Sequence, residues 1–530
     1  MCLQKNKNSI STKRASRCTY SNYMNNTIYY RPVWMSGRYN HKKRIAICYN
    51  LIEGMSYFFE DESAEVISKL LSVPRNQSIS IKDISTQTHI SEEELRPFLQ
   101  ELEEVKLCLS SEITTKLIDK YREQVRTERQ WQTNNIIKTT KEKLPITVSS
   151  SEMDYMNKAG GITSVMFELT YNCSEKCIHC YNIGATRNNE EISNRNKIDS
   201  LKLNDYYRII DELYEQGLVR VCLSGGDPFS NPCAWDIIEY LYKKDIVFDI
   251  FTNGQRISHD VKRLANYYPR TVGISIYSGI ATIHDYITQI KGSWDKSMNV
   301  IEQLSTLAVP MNLKCCIMRP NVKSYYTVYD IAKRYGAIAQ FEVNVTDSVD
   351  GDKCVSKYLR LTPKQLEIVL RDDNIPLYVG KEAPNYGGQP RNIKENACGA
   401  GYNSFCITPD GEFIPCCSFH MTFGNLKNES IKNIIENSDR LKWWKSLSLQ
   451  QYEECGKHEY CDYCNLCAGL NFSEHKTPLK AGENNCYMAK IRFELAHKMM
   501  NGYDSLQGKS VKENLNKLPV YDHVKLKREY

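Results

Sequence analysis

Apolar positions along the chain change period as it runs. From Arg44, RIAICYN and GMSYFFED alternate as two short strands around a turn at Glu53-Gly54, and ESAEVISKLLS follows at helical period with Val66, Ile67, Leu70 and Leu71 on one side. SIKDISTQT comes next, then a helix opened by the capping box Ser91-x-x-Glu94, with Leu95, Phe98, Leu99, Leu102 and Val105 on one stripe. A hairpin joined to a helix-turn-helix is a small winged-helix shape. From Val165 strands and helices take turns: VMFELT at 165, VRVCLSG at 219, VFDIFTN at 247, TVGISIYS at 271, NLKCCIMR at 312 and QFEVNVT at 340 are separated by segments such as LNDYYRIIDELYEQG and AWDIIEYLYKK. Such alternation predicts parallel strands with helices outside, either a doubly wound sheet or part of a (β/α) barrel, with the site at the C-terminal strand ends.

These periods divide the chain into a polar flexible extension over residues 1–27, a winged-helix-like domain over 28–112 and a charged helical linker over 113–160. The α/β core spans 161–360, a cysteine-rich region 361–500, and a polar, Lys-rich, mobile tail 501–530. The linker's charges, as in KYREQVRTERQ, read as a solvated face.

Composition narrows the class. The 530 residues are 41% hydrophobic and 25% charged, as in a soluble globular protein of about three domains. A net charge of +6 from 69 basic and 63 acidic residues is too weak a bias to imply a nucleic-acid partner. The helix SEEELRPFLQELEEVK offers mostly Glu where a DNA-reading helix needs Arg, Lys, Asn or Gln. No run approaches the ~20 apolar residues of a membrane span, and the basic start lacks the apolar stretch of a signal peptide, so a cytoplasmic protein is expected. In a reducing compartment, 21 cysteines grouped at short spacings point to metal or cluster ligands rather than disulfides.

The decisive stretch is FELTYNCSEKCIHCYN, residues 167–182, with Cys173, Cys177 and Cys180 at C-x3-C-x2-C directly after the first core strand. Three thiolates hold three corners of a 4Fe-4S cubane and leave one iron open, whereas protein clusters usually have four Cys ligands. The competing reading is half of a zinc site. Further motifs end the following strands: Ser224-Gly225-Gly226-Asp227-Pro228, in which missing Cβ atoms allow close backbone approach to a bound ligand, then Thr252-Asn253-Gly254, then Ser275, Tyr277 and Ser278.

Taken in order, these motifs resemble the radical S-adenosylmethionine (SAM) superfamily, whose GGE(P) appears here as the conservative GGDP. The resemblance implies an α/β fold, a partial (β/α)6 TIM-like barrel, with SAM on the open iron. It also implies that backbone groups and Asp227 engage the SAM amino group, that Asn253 and Ser275 approach ribose and carboxylate, and that His179 packs on adenine. The implied chemistry is reductive cleavage of SAM and hydrogen abstraction from a substrate. No general acid or base follows from it; Tyr277 and Asp285 are the barrel-facing candidates, and His284 is equally readable as structural.

CGAGYNSFCITPDGEFIPCC, residues 398–417, carries a TPDG hairpin signal. Cys398, Gly411 and Cys416 resemble the opening of the SPASM domain, which holds two auxiliary 4Fe-4S clusters. Cys455, Cys461, Cys464, Cys467 and Cys486 bring the total to its seven cysteines, but at C-x5-C-x2-C-x2-C rather than its usual spacing, which leaves the partition of ligands open. One cluster, a cluster plus zinc, or a zinc ribbon are the alternatives. Cys406, on a strand, reads as core.

The N-terminal domain resembles the leader-recognition element of ribosomal-peptide maturases, built like the pyrroloquinoline-quinone chaperone, in which the leader adds as a strand beside the hairpin. Together the parts resemble peptide-modifying radical SAM maturases, which install thioethers, carbon-carbon or carbon-oxygen crosslinks, or epimerised residues. The implied partners are a precursor peptide and an electron donor such as flavodoxin or ferredoxin, with no nucleic acid and no membrane. A sulfatase-maturase-like protein oxidase is the nearest alternative, and a zinc- or cluster-bearing winged-helix regulator is the alternative of another class.

Overall fold

A computed structural model describes residues 27–139, 149–182, 200–347, 354–372, 375, 392–396 and 398–521; the expected extension over 1–27 lies almost wholly outside these. The chain forms two compact units, residues 1–124 with 147–159, and residues 125–146 with 160–530.

In the first unit, β1 (Ile28–Tyr30) pairs with β5 (Ser78–Ser80), and β2 (Met35–Asn40), β3 (Ile45–Asn50) and β4 (Met55–Glu60) form an antiparallel sheet in that order. Helices α1 (Asp61–Ser72), α2 (Ile81–Thr88) and α3 (Glu92–Glu104) cover one sheet face around Ala46, Cys48, Phe59, Ile67, Leu70, Leu99 and Leu102. The Ser91/Glu94 capping box opens α3 as the sequence predicts, and Gly54 supplies the left-handed turn between β3 and β4 at φ 77°.

The linker departs from its solvated reading. Helix α4 (Thr115–Thr139) is followed by α5 (Ser150–Ala159), whose Glu152 and Tyr155 are each 1% exposed. Tyr49 donates to Glu152 Oε1 at 3.1 Å, and Phe58 packs edge-on against Tyr155. The partners lie 103 positions apart, so local charge density carries no trace of this burial.

In the second unit, β6 (Ser164–Glu168), β7 (Arg220–Ser224), β8 (Val247–Thr252), β9 (Thr271–Ser275), β10 (Met311–Cys316) and β11 (Ile338–Glu342) pair in parallel, each beside its predecessor. A doubly wound sheet reverses its order midway; this one does not, and its order is that of a partial barrel. Outward residues such as Val221, Leu223, Ile250, Val272 and Leu313 are buried under α6 (Leu203–Glu215), α7 (Ala234–Lys243), α8 (Val261–Ala265), α9 (Ala281–Thr288), α10 (Ser293–Thr306) and α11 (Tyr326–Tyr335). Inward residues such as Cys222, Ser224, Ser275, Lys314 and Gln340 keep partial exposure, which makes the lumen a polar, open chamber.

After α12 (Cys354–Leu359) and α13 (Pro363–Val369), the TPDG hairpin forms as expected from β12 (Ser404–Ile407) and β13 (Glu412–Ile414), extended by β14 (Gly424–Asn425). β12 pairs in parallel with β6, so the cysteine-rich region continues the barrel sheet. Helices α14 (Ile431–Asn437), α15 (Asp439–Ser446), α16 (Ala468–His475) and α17 (Glu483–Met500) complete it. The tail is not free up to Tyr521: α18 (Val511–Asn516) buries Leu515 at 0% exposure in the main core, and Lys323 Nζ donates to the Leu518 carbonyl. Leu506, Val511 and Leu518 pack beside it, and Arg371 holds Asp504 and Ser505, so a few apolar and polar anchors in a Lys-rich stretch dock it.

Candidate active site

The three-cysteine loop leaves β6 at the C-terminal edge of the sheet, as predicted. The thiols of Cys173, Cys177 and Cys180 lie within electrostatic reach of one another, and burial is the main cause that raises Cys173 to about 12 and also raises Cys177. Thiols so placed need a cationic centre beside them to become thiolates.

The GGDP turn holds this loop in place. A Cβ on Gly225 would stand 2.3 Å from the Thr170 carbonyl oxygen, and one on Gly226 would stand 2.4 Å from that of Asn172 and 2.6 Å from that of Tyr171. Backbone N–H groups of Gly226 and Asp227 donate to Thr170 and Asn172 at 2.6 and 2.9 Å. The missing Cβ atoms therefore admit the chain's own cysteine loop.

Asp227 is fully buried. Its carboxylate accepts from Thr252 Oγ1, the Asn253 N–H and the Phe229 N–H, so it ties the end of β8 to β7. Burial raises its carboxyl, against the pull of those three donors. Asn253 then reaches back to the cluster loop, with Nδ2 3.3 Å from both Cys173 Sγ and Ser174 Oγ. Ser224 and Ser275 face the chamber by strand alternation, whereas Ser278 turns away to Ser324 at 2.9 Å.

Tyr277 packs on the loop. Its hydroxyl lies 4.0 Å from Cys177 Sγ, and its ring meets His179 edge-on at 4.8 Å and stacks on His284 at 5.5 Å. His284 Nδ1 accepts the Tyr277 N–H, burial lowers the imidazole to about 4 so that the ring stays neutral, and its Nε2 is buried without a hydrogen-bond partner. Asp285 serves the fold. Its carboxylate accepts from Gly292 N, Ser293 Oγ and Trp294 N at 2.6, 2.9 and 3.0 Å, capping α10. Partial burial acts to raise it, but these donors outweigh burial and hold it below the usual range. Three donors leave about one of the carboxylate's roughly four acceptor sites uncommitted.

Glu175, Asn182 and Glu168 escaped the sequence reading. Glu175 Oε1, His179 Nδ1, Asn182 Oδ1 and Glu168 Oε2 are buried without a hydrogen-bond partner. Burial pushes the Glu175 and Glu168 carboxyls up to about 8 and lowers His179 to about 4. Unmet donors and acceptors gathered on and just before a thiol loop fit a polar ligand seated beside a cluster. Only Glu168 had a usable signal, as the last inward position of β6.

The cysteines of the C-terminal region, Cys406 aside, separate into two groups. Cys455, Cys461, Cys464 and Cys486 line one cavity together with Asn471 and Asn485. Cys398, Cys416 and Cys467 perturb one another electrostatically, and Cys417 lies against Cys416 and Cys467. Cys406 is fully buried on β12, as expected of core. Among the described residues, no three His, Cys, Asp or Glu side chains converge as ligands of one metal ion, and no helix is long and apolar enough to cross a membrane.

Residues 167–321 match the radical SAM superfamily, and residues 398–468 match SPASM, an iron-sulfur cluster-binding domain. The chain is 30% identical over 320 residues to the mycofactocin maturase MftC of Mycobacterium ulcerans, covering 57% of this chain and 81% of that protein. It is 26% identical over 342 residues to the antilisterial bacteriocin subtilosin biosynthesis protein AlbA of Bacillus subtilis, covering 61% and 70% respectively. Among solved structures, Streptococcus suis SuiB bound to S-adenosylmethionine shares the fold, with a TM-score of 0.50 at 13% identity over 86% of this chain and 99% of that one.

Proposed function

Because this chain belongs to the radical SAM superfamily, with the 4Fe-4S cluster and SAM of that family and a SPASM domain for auxiliary iron-sulfur clusters, we propose that it installs a radical modification on a ribosomally made precursor peptide. The observation that carries the reading is the thiol loop at the mouth of an open polar chamber. The peptide substrate is supported by the relatives, one a mycofactocin maturase and one named for bacteriocin biosynthesis.

Cys173, Cys177 and Cys180 would hold the radical cluster. When bound, the cluster and SAM supply one-electron cleavage of SAM and the hydrogen-abstracting radical. The protein's own work is placement. Asn253 Nδ2 and the Glu175 N–H hold Cys173 Sγ at 3.3 and 3.4 Å, Tyr277 braces Cys177, and Asp227 locks the two strand ends that carry these contacts. Glu175, His179 and Asn182 carry unmet polar atoms that would serve SAM. The inward residues of the strands line the space that a peptide segment would enter.

Cys455, Cys461, Cys464 and Cys486 would hold one auxiliary cluster, and Cys398, Cys416 and Cys467 the other. The first unit would bind the leader as an added strand at a sheet edge, since β2 and β4 each pair only with β3 among the described residues. A flavodoxin or ferredoxin would deliver the electron.

The test is anaerobic incubation with SAM, dithionite and peptides translated from short reading frames beside its gene. A mass change in one peptide, matched by 5'-deoxyadenosine, is expected. A chain lacking residues 1–112 should then still cleave SAM but lose preference for the leader-bearing peptide. SAM cleavage with every such peptide left unchanged would contradict the substrate assignment.

A further inference from the structure

Among the described residues, the barrel lumen holds a cation that forms no ion pair. Lys314, the inward residue of β10 paired in register with Ser275, lies in the chamber below the cysteine loop. Its Nζ donates to Gln340 Oε1 at 3.2 Å and stands 3.7 Å from the centroid of the Phe251 ring. Its stem crosses β9 at Gly273, where a Cβ would fall 2.7 Å from Lys314 Cε and 2.8 Å from Phe251 Cδ1. A glycine facing the lumen thus leaves room for this side chain, a phenyl face receives its charge, and an amide accepts one of its three protons.

The nearby carboxylates are engaged elsewhere. Asp249 pairs with Arg270 at 2.6 Å and Arg220 at 3.8 Å. Glu342, at the rim, turns Oε1 to the N–H groups of Val343 and Asn344. Among the described residues no carboxylate forms an ion pair with Lys314, although partly desolvated cations are normally paired. Burial lowers the ammonium's affinity for its proton, while Cys222 and Asp249 partly restore it.

We propose that Lys314 is a specificity residue that receives a side-chain carboxylate of the substrate, so that the modified peptide segment carries an Asp or Glu inside the barrel. This rests on the peptide-substrate reading. A charge-assisted bond in a partly dry site is worth about ten- to a hundredfold in selection over the neutral amide.

The test is affinity selection from a library of N-acetylated, C-amidated hexapeptides on the reconstituted full-length protein with SAM present. The wild type is expected to retain Asp- and Glu-containing peptides about ten- to a hundredfold over their Asn and Gln counterparts. K314Q should lose that preference at unchanged iron content and SAM affinity, and K314E should shift it to Lys and Arg, a reversal that a merely structural lysine would not produce. Retention indifferent to acidic residues, or an acidic preference that survives in K314Q, would overturn the assignment alone. Weakened SAM binding in K314Q without an acidic preference in the wild type would give Lys314 to the SAM carboxylate and also overturn it. Retention of no peptide would overturn the peptide reading and this assignment with it.

Discussion

Replacing Gly226 by Ala tests whether the GGDP turn serves the cysteine loop. Gly226 has no left-handed backbone, so the substitution adds a contact without adding backbone strain, unlike Gly225 at φ 125°. The new Cβ would stand 2.4 Å from the Asn172 carbonyl oxygen and must retreat to at least 3.0 Å, a displacement of about 0.6 Å. The obstacle is backbone, and the same carbonyl accepts the Asp227 N–H at 2.9 Å, so neither side yields without breaking that bond. Overpacking of this kind costs about 1–3 kcal/mol. The shift falls on the residue before Cys173, and since about 1 Å of misplacement can lower a reaction about a hundredfold, a loss of about tenfold or more in 5'-deoxyadenosine formation is expected. The assay is single-turnover 5'-deoxyadenosine yield with thermal melting and iron content on the same preparation. A variant that cleaves SAM within twofold of wild type and melts within a degree of it would refute the reasoning.

Asp285→Asn removes a charged cap: stability should fall by about 1 kcal/mol while SAM cleavage persists. Because the folded carboxyl is held low, the cap's contribution is present above the unfolded value near 4 and disappears as pH falls through the folded one, so the variant's melting temperature should depend less on acid than the wild type's. Leu515→Ala should destabilise by about 2–4 kcal/mol in chemical denaturation if the C-terminal helix is docked, and by almost nothing if it is mobile. Cys461→Ser should lower iron by about four per chain while SAM is still cleaved; undiminished iron would refute the four-cysteine grouping.

Much of the architecture is legible because it is written locally. The six strands declare themselves by apolar runs, the capping box of Ser91 and Glu94 by spacing, and the hairpin at Gly411 by its turn residues. The thiol loop is legible for the same reason, since its three ligands lie within eight residues, Cys173 to Cys180. What escaped is decided across the fold. No spacing says that Gly226 abuts Asn172, that Asp285 caps the following helix, or that Glu152 meets Tyr49 across 103 positions. The grouping of the cysteines was hidden likewise, because Cys464 and Cys467 are near neighbours in sequence, yet Cys464 faces the cavity and Cys467 sits with Cys398 and Cys416. Lys314 reads as any strand lysine in the sequence, and only the fold lays its stem over Gly273.

The most direct measurement is an iron count after anaerobic reconstitution, paired with 5'-deoxyadenosine formation, on the wild type and Cys177→Ala. About twelve irons and SAM cleavage in the wild type, falling to about eight irons and no cleavage in the variant, are expected if Cys173, Cys177 and Cys180 carry the radical cluster. Cleavage that survives in Cys177→Ala would contradict the account at its centre.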